Sequence, residues 1–244
     1  MRKLIHRFVL LAALLCSWNT FAAETNRHVV VIVWDGMRPD FISREHTPAL
    51  WQLAQDGVMF ANHHPVYISS TEVNGTAIAT GAYPQSSSII GNREFRPGIN
   101  DRKPIDTQDF AAIRKGDELS HGHFLMTPTT AEILQAAGRT TIIAGTKPVA
   151  QLHDRRERDA DYRKGILLAD GKVLPSSLQS SLDDTLGKFP ASETAKSPSP
   201  NEPRDEWTTR ALIHVLWSNA VPRFLSALVE RPGFFAARRR ARRA

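Results

Sequence analysis

The chain has 244 residues, 41% hydrophobic and 23% charged, which suits one globular domain with a sizeable core. Its net charge of +6 sits at the two ends: residues 1–22 carry three basic and no acidic residues, and residues 225–244 carry six Arg and one Glu. Residues 23–224 are left at −2, so the body gives no ground for a nucleic-acid or other polyanion partner.

The first segment has the order of a secretory signal. Arg2, Lys3 and Arg7 precede an apolar run from Phe8 to Leu15, and Thr20-Phe21-Ala22 offers small residues for cleavage. The run is too short for a comfortable membrane span. The expectation is a signal over 1–22, a periplasmic or secreted chain, and no stable membrane span after cleavage. Cys16, the single cysteine, lies within the signal, so the mature chain can form no disulfide.

Val29 to Val33 are five consecutive β-branched residues, which predicts a central parallel strand buried on both faces. It ends at Asp35-Gly36, a turn signal. Thr47-Pro48 starts a helix, with Thr as N-cap and Pro at the first helical position, and Gly57 stops it. Val58 to Phe60 reads as a short strand. Ser69-Ser70-Thr71 then precedes a short helix over 72–79. Residues 93–128 read as polar and irregular. Thr130 to Ala137 reads as a helix ended by Gly138, and Thr140 to Ala144 as a second buried strand. Residues 186–206 look like a long surface loop, and Trp207 to Trp217 has an apolar helical pattern. Strands alternating with helices predict an α/β fold, a mostly parallel sheet with helices on both faces.

Asp35 stands at the carboxyl end of a strand, where open α/β sheets place their ligand sites. Taken singly, position favours a plain turn aspartate. Thr71 at a helix start is, taken singly, an N-cap. It is also where a hydroxyl could attack phosphorus, because the helix dipole and free N–H groups favour a phosphoryl anion.

Together the elements carry more. The stretches "VIVWDGMRPD" and "TPALWQLAQDGVMFANHHPVYISSTEVNGTAIATGAYPQSSSIIGN" resemble the alkaline phosphatase superfamily, closest to type I phosphodiesterase/nucleotide pyrophosphatase. Asp35 ends the first strand, Thr47-Pro48 opens the next helix, Thr71 starts another, Thr80-Gly81-Ala82-Tyr83-Pro84 follows, and Asn92 comes in Ile90-Gly91-Asn92. The resemblance implies the N-terminal portion of an alkaline-phosphatase-like hydrolase domain over 23–224. It implies hydrolysis of a phosphodiester or nucleotide pyrophosphate through a phospho-threonine at Thr71. It implies two divalent metal ions, zinc or similar, with Asp35 and Thr71 as ligands. The N–H after Thr71 and the Asn92 amide would stabilise the phosphoryl oxygens. The substrate implied is a small-molecule phosphate ester or nucleotide.

Two departures stand out. Many relatives have an aromatic residue and Pro-Asn-His after the nucleophile; here Glu72-Val73-Asn74-Gly75 follows, and Glu72 would add negative charge near the pocket. The Cys/Ser-x-Pro-x-Arg motif of sulfatases is absent from the sequence. Of the later metal ligands that the resemblance implies, no Asp-x-x-x-His pair occurs after residue 150, and the Asp-His pair and the late His are not found either. His153-Asp154 is in reverse order and His214 lies in an apolar helix, so at most one partial metal site is expected.

The end "FFAARRRARRA" differs in composition from the body. Leu228 to Arg238 has a codon choice that, read one base on, gives Trp-Trp-Ser-Asp-Pro-Asp-Phe-Ser-Gln-His, with the missing pair. The expectation is a frameshift near residue 224, an out-of-frame basic tail over 225–244, and a chain that is inactive and poorly folded. Three other readings stay open at this point: a phosphomonoesterase or phosphonate hydrolase of the same superfamily, a non-catalytic secreted binder of phosphate ligands, and a basic-tailed binder of nucleic acid or membrane.

Overall fold

A computed structural model describes residues 27–155, 165–191, 201–217, 222 and 224–230. The signal expected over 1–22 and the arginine run after 230 lie outside the described residues.

The main sheet has five strands in the order β1-β7-β4-β5-β6. They are β1 (Val29–Asp35), β4 (Thr141–Gly145), β5 (Ile166–Ala169), β6 (Lys172–Leu174) and β7 (Phe224–Glu230). β1, β7, β4 and β5 run parallel, and β6 returns antiparallel on β5. A two-stranded ribbon, β2 (Arg93–Glu94) and β3 (Ile105–Asp106), lies apart. The α-helices of seven or more residues among the described residues are α1 (Pro48–Asp56), α2 (Thr71–Thr80), α3 (Phe110–Leu119), α4 (Thr130–Ala136), α5 (Gln179–Leu186) and α6 (Glu202–Arg210). α6 runs on into a π-helical stretch, Ala211–Leu216.

Alternation along β4 and β5 divides the core into two layers. Ile143 and Leu167 face one side, with Val73 of α2, Ile113 of α3 and Leu152. Ile142, Ala144 and Leu168 face the other, with Leu182 of α5 and Trp207 and Leu212 of α6 and its extension. Both faces of a parallel sheet are covered there, as burial of its backbone requires. Each buried Leu or Ile contributes roughly 1.5–3 kcal/mol. Trp207 also meets Phe189 edge to face at 5.2 Å between ring centres, and its Nε1 donates to the Gly187 carbonyl.

Several expectations are corrected. Among the described residues β1 is an edge strand, not a central one, and Val29 on one face and Val30 and Ile32 on the other are exposed. Val58, Met59 and Phe60 form no strand and are exposed; among the described residues no strand lies alongside to accept their backbone. The stretch 93–128 is not irregular throughout. It holds the β2–β3 ribbon and α3, capped by Asp109, whose carboxylate accepts from the Ala112 N–H at 2.8 Å. α6 begins at Glu202, inside the expected surface loop. β7 lies with Leu225 and Ser226 buried between β1 and β4. Among the described residues, no helix is long and apolar enough to cross a membrane.

Candidate active site at the carboxyl edge of the sheet

Parallel strands deliver their carboxyl ends to one edge, and the expected site residues gather there. Asp35 is the last residue of β1, and Gly36, at φ 77, turns the chain away in a conformation that favours glycine. Thr71 is the first residue of α2. The N-cap is Ser70, whose side chain makes no capping bond and whose Oγ is buried without a hydrogen bond among the described residues. Thr71 is therefore not the cap, and no side chain of the cap covers the first turn. Thr71 Oγ1 donates to Asp35 Oδ2 at 3.3 Å across 36 residues of sequence.

Asn74 explains how Thr71 is held. Its Oδ1 accepts from the Val66 N–H at 2.9 Å, and its Nδ2 donates to the carbonyls of Val66, Ile68 and Ser70 at 3.1–3.4 Å. One side chain thus ties the strap leading into α2 to the helix itself. Asn92 lies at the same edge, where its Oδ1 accepts from the Glu72 N–H at 3.3 Å. The two groups expected to face a phosphoryl oxygen separately are bonded to one another. Asn92 Nδ2 has no partner among the described residues and remains a donor. Glu94 fixes this loop by accepting from the Ile90 and Gly91 N–H groups at 2.5 and 3.2 Å.

Lys147 is the residue that sequence reasoning missed. It lies just past β4, and its Nζ donates to Asp35 Oδ2 at 2.8 Å. The signal available was its place: a basic residue beyond the carboxyl end of a buried strand, on the edge that ends β1. A small cavity of about 80 Å³ joins Asp35, Thr71, Asn74, Gly75 and Lys147, walled by Val33 and Val149.

Glu72 is not the pocket charge expected of it. It points into the interior at 2% exposure. Burial pushes its carboxyl above the usual range, with Asp106 and Asp35 adding to the rise; a backbone hydrogen bond and Lys147 oppose it. Behind α2, His153 is buried, its Nε2 has no hydrogen bond among the described residues, and burial lowers its pKa to about 4. It is a neutral imidazole at pH 7. Gly75 is required between them: a Cβ there would meet Val149 Cγ2 at 2.8 Å.

The family's sequence profile, Type I phosphodiesterase / nucleotide pyrophosphatase, matches residues 29–236, most of the chain. The chain belongs to this family. A pyrophosphatase/phosphodiesterase from Schizosaccharomyces pombe, itself uncharacterized, is 41% identical over 81 residues, 33% of this chain and 17% of that protein. The bis(5'-adenosyl)-triphosphatase of Xenopus laevis is 26% identical over 87 residues, 36% of this chain and 19% of that protein. The phosphonoacetate hydrolase of Sinorhizobium meliloti, solved with phosphonoacetate, superposes with a TM-score of 0.58 at 19% identity. That match covers 85% of this chain and 49% of the hydrolase, so the chain spans about half of that structure. The likeness shows the fold, an α/β arrangement around a mostly parallel sheet.

The family implies two divalent ions, and the described residues do not fit such a centre. Asp35 and Thr71 offer two oxygens, while the ammonium of Lys147 already lies on the oxygen they share. No group of three or more His, Cys, Asp or Glu side chains that could hold a metal occurs among the described residues.

Proposed function

We propose that Thr71 is the nucleophile of a phosphate-ester hydrolase that acts on phosphodiester or nucleotide pyrophosphate bonds in a periplasmic or secreted setting. The observation that carries this reading is the Thr71 Oγ1–Asp35 Oδ2 bond at the open first turn of α2. The family and the names of its relatives support the substrate class.

The step follows from the groups present. Thr71 Oγ attacks phosphorus, its proton passes toward Asp35, and the bond to the leaving oxygen breaks. The product is a phosphorylated threonine ester and a free alcohol or phosphate. Developing charge on the phosphoryl oxygens meets the first-turn N–H groups, Asn92 Nδ2 and the ammonium of Lys147. Water then cleaves the threonine ester. Because the described residues do not assemble a metal centre, steady turnover by this chain is expected to be low, and the first transfer is the step to measure.

A nitrophenyl phosphodiester of a nucleotide reports that step. The expected result is release of about one equivalent of nitrophenol per chain, absent in Thr71→Ala and slowed on the order of a hundredfold in Asn92→Ala. Release by Thr71→Ala equal to wild type would overturn the assignment.

A further inference from the structure

We infer that the buried Glu94–Arg96 ion pair is a positioning device for Asn92. It fixes the loop that carries Asn92 and so holds the Asn92 carboxamide against the first turn of α2. That turn receives the phosphoryl group under the function proposed above, and the inference rests on that reading.

Glu94 divides its carboxylate between two tasks. Oε1 accepts from the Ile90 and Gly91 N–H groups, the two residues before Asn92, at 2.5 and 3.2 Å. Oε2 takes Arg96, at 2.8 Å from Nε and 2.7 Å from Nη2. Arg96 also donates to the Ser88 carbonyl at 2.6 Å and the Phe124 carbonyl at 3.2 Å. Its guanidinium lies 4.3 Å from the centre of the Phe124 ring. Strand alternation turns Glu94 inward on β2, while Arg93 faces solvent. Thr107, just past β3, closes the other side. Its N–H donates to the Asn92 carbonyl at 3.0 Å, and its Oγ1 donates to the Gly91 and Asn92 carbonyls at 2.9 and 3.2 Å.

The backbone at Asn92 is thus held on both sides, while its side chain is exposed and reaches α2 through the Glu72 N–H. That N–H belongs to the first turn and has no partner within the helix. The Glu94 and Arg96 side chains are only 7% and 20% exposed. Desolvation offsets most of the attraction in such a pair, so its contribution here is a fixed geometry. Geometry matters at this position, since a shift on the order of 1 Å in a positioned group can slow a reaction about a hundredfold.

The test is a double-mutant cycle between Glu94→Ala and Asn92→Ala, with circular dichroism melts to confirm folding. One readout is hydrogen exchange of the Glu72 N–H, followed by NMR. Glu94→Ala is expected to speed it about tenfold in the wild-type background and by less than about twofold once Asn92 is alanine. The other is first-turnover release from the nitrophenyl phosphodiester of a nucleotide. Glu94→Ala is expected to slow it about tenfold with KM within about twofold, and to add less than about twofold to Asn92→Ala. Glu94→Gln keeps an acceptor for both loop N–H groups and is expected to recover most of the loss. Thr107→Val loosens the loop without unpairing a buried charge and is expected to move both readouts in the same direction; it replaces Glu94→Ala in the cycle if that variant does not fold. An effect of equal size with and without Asn92 overturns the inference, as does wild-type exchange of the Glu72 N–H in the folded variants. Exchange does not depend on chemistry at Thr71. Release by Thr71→Ala equal to wild type would therefore remove the proposed function, and the exchange cycle would still decide the positioning role.

Discussion

The two sides of the main sheet are built differently. Around β4 and β5 both faces are sealed, with Ile143, Leu167, Leu168 and Leu182 fully or almost fully buried. Around β1 and α1 the same residue types face outward: Val29, Val30, Ile32, Leu53 and Phe60 are all exposed, and α1 has no buried residue. The candidate site lies on the seam. Asp35 comes from the open side and Lys147 from the sealed one, and Thr71 stands on a helix packed against the sealed side. One half of the chain thus supplies a rigid platform, and the other presents the carboxylate that meets it.

The sharpest way to break this comparison is to cut equal side chains from the two sides. Leu168→Ala, at 0% exposure, is expected to cost about 2–5 kcal/mol of stability by urea unfolding. Leu53→Ala, at 67% exposure, is expected to change it by no more than about 0.5 kcal/mol. Similar losses at the two positions would show that α1 is packed as firmly as β5.

The next effect is pH-dependent and belongs to His153 on the sealed side. Its folded pKa is lowered from 6.5 to about 4 by burial, so the unfolded chain binds the proton first. The stability that neutral His153 contributes is present above pH 6.5 and is lost as pH falls toward about 4, a change on the order of 3 kcal/mol. Glu72, with a raised pKa, acts in the opposite sense: its contribution is complete below 4.5 and is lost as pH rises through its folded value. Urea midpoints of wild type and His153→Gln between pH 7 and pH 4 are expected to diverge at neutral pH and converge on acidification. Parallel curves would place His153 in water.

The smallest of the three effects concerns the strap that reaches the seam. Asn74→Ala removes one acceptor and two donors that hold Val66 to Ser70, and is expected to cost about 1–3 kcal/mol. It is expected to increase amide exchange at Val66 before any change in β5.

Much of this was legible in the sequence because it is local. Val29 to Val33 read as a strand, Thr47-Pro48 as a helix start, and Gly138, at φ 73, as a helix stop. The place of β1 in the sheet was not legible, since five β-branched residues look alike in the centre and at an edge that lacks a cover. β5 and β6 were passed over, being only four and three residues long. Asp35 and Thr71 stood out by position and by family resemblance. The ion pair of Asp35 with Lys147 joins residues 112 apart and exists only once β1 and β4 share a sheet. Glu72 was misplaced for a related reason: helix phase, not proximity to Thr71 in sequence, turns its carboxyl inward.

The measurement that tests the central claim most directly is peptide mapping by mass spectrometry after the chain meets a nitrophenyl phosphodiester of a nucleotide and is quenched in acid. The account predicts a nucleotidyl adduct on Thr71, absent when Thr71→Ala is treated in the same way. An adduct on another residue, or nitrophenol release with Thr71 unmodified and dispensable, would contradict it.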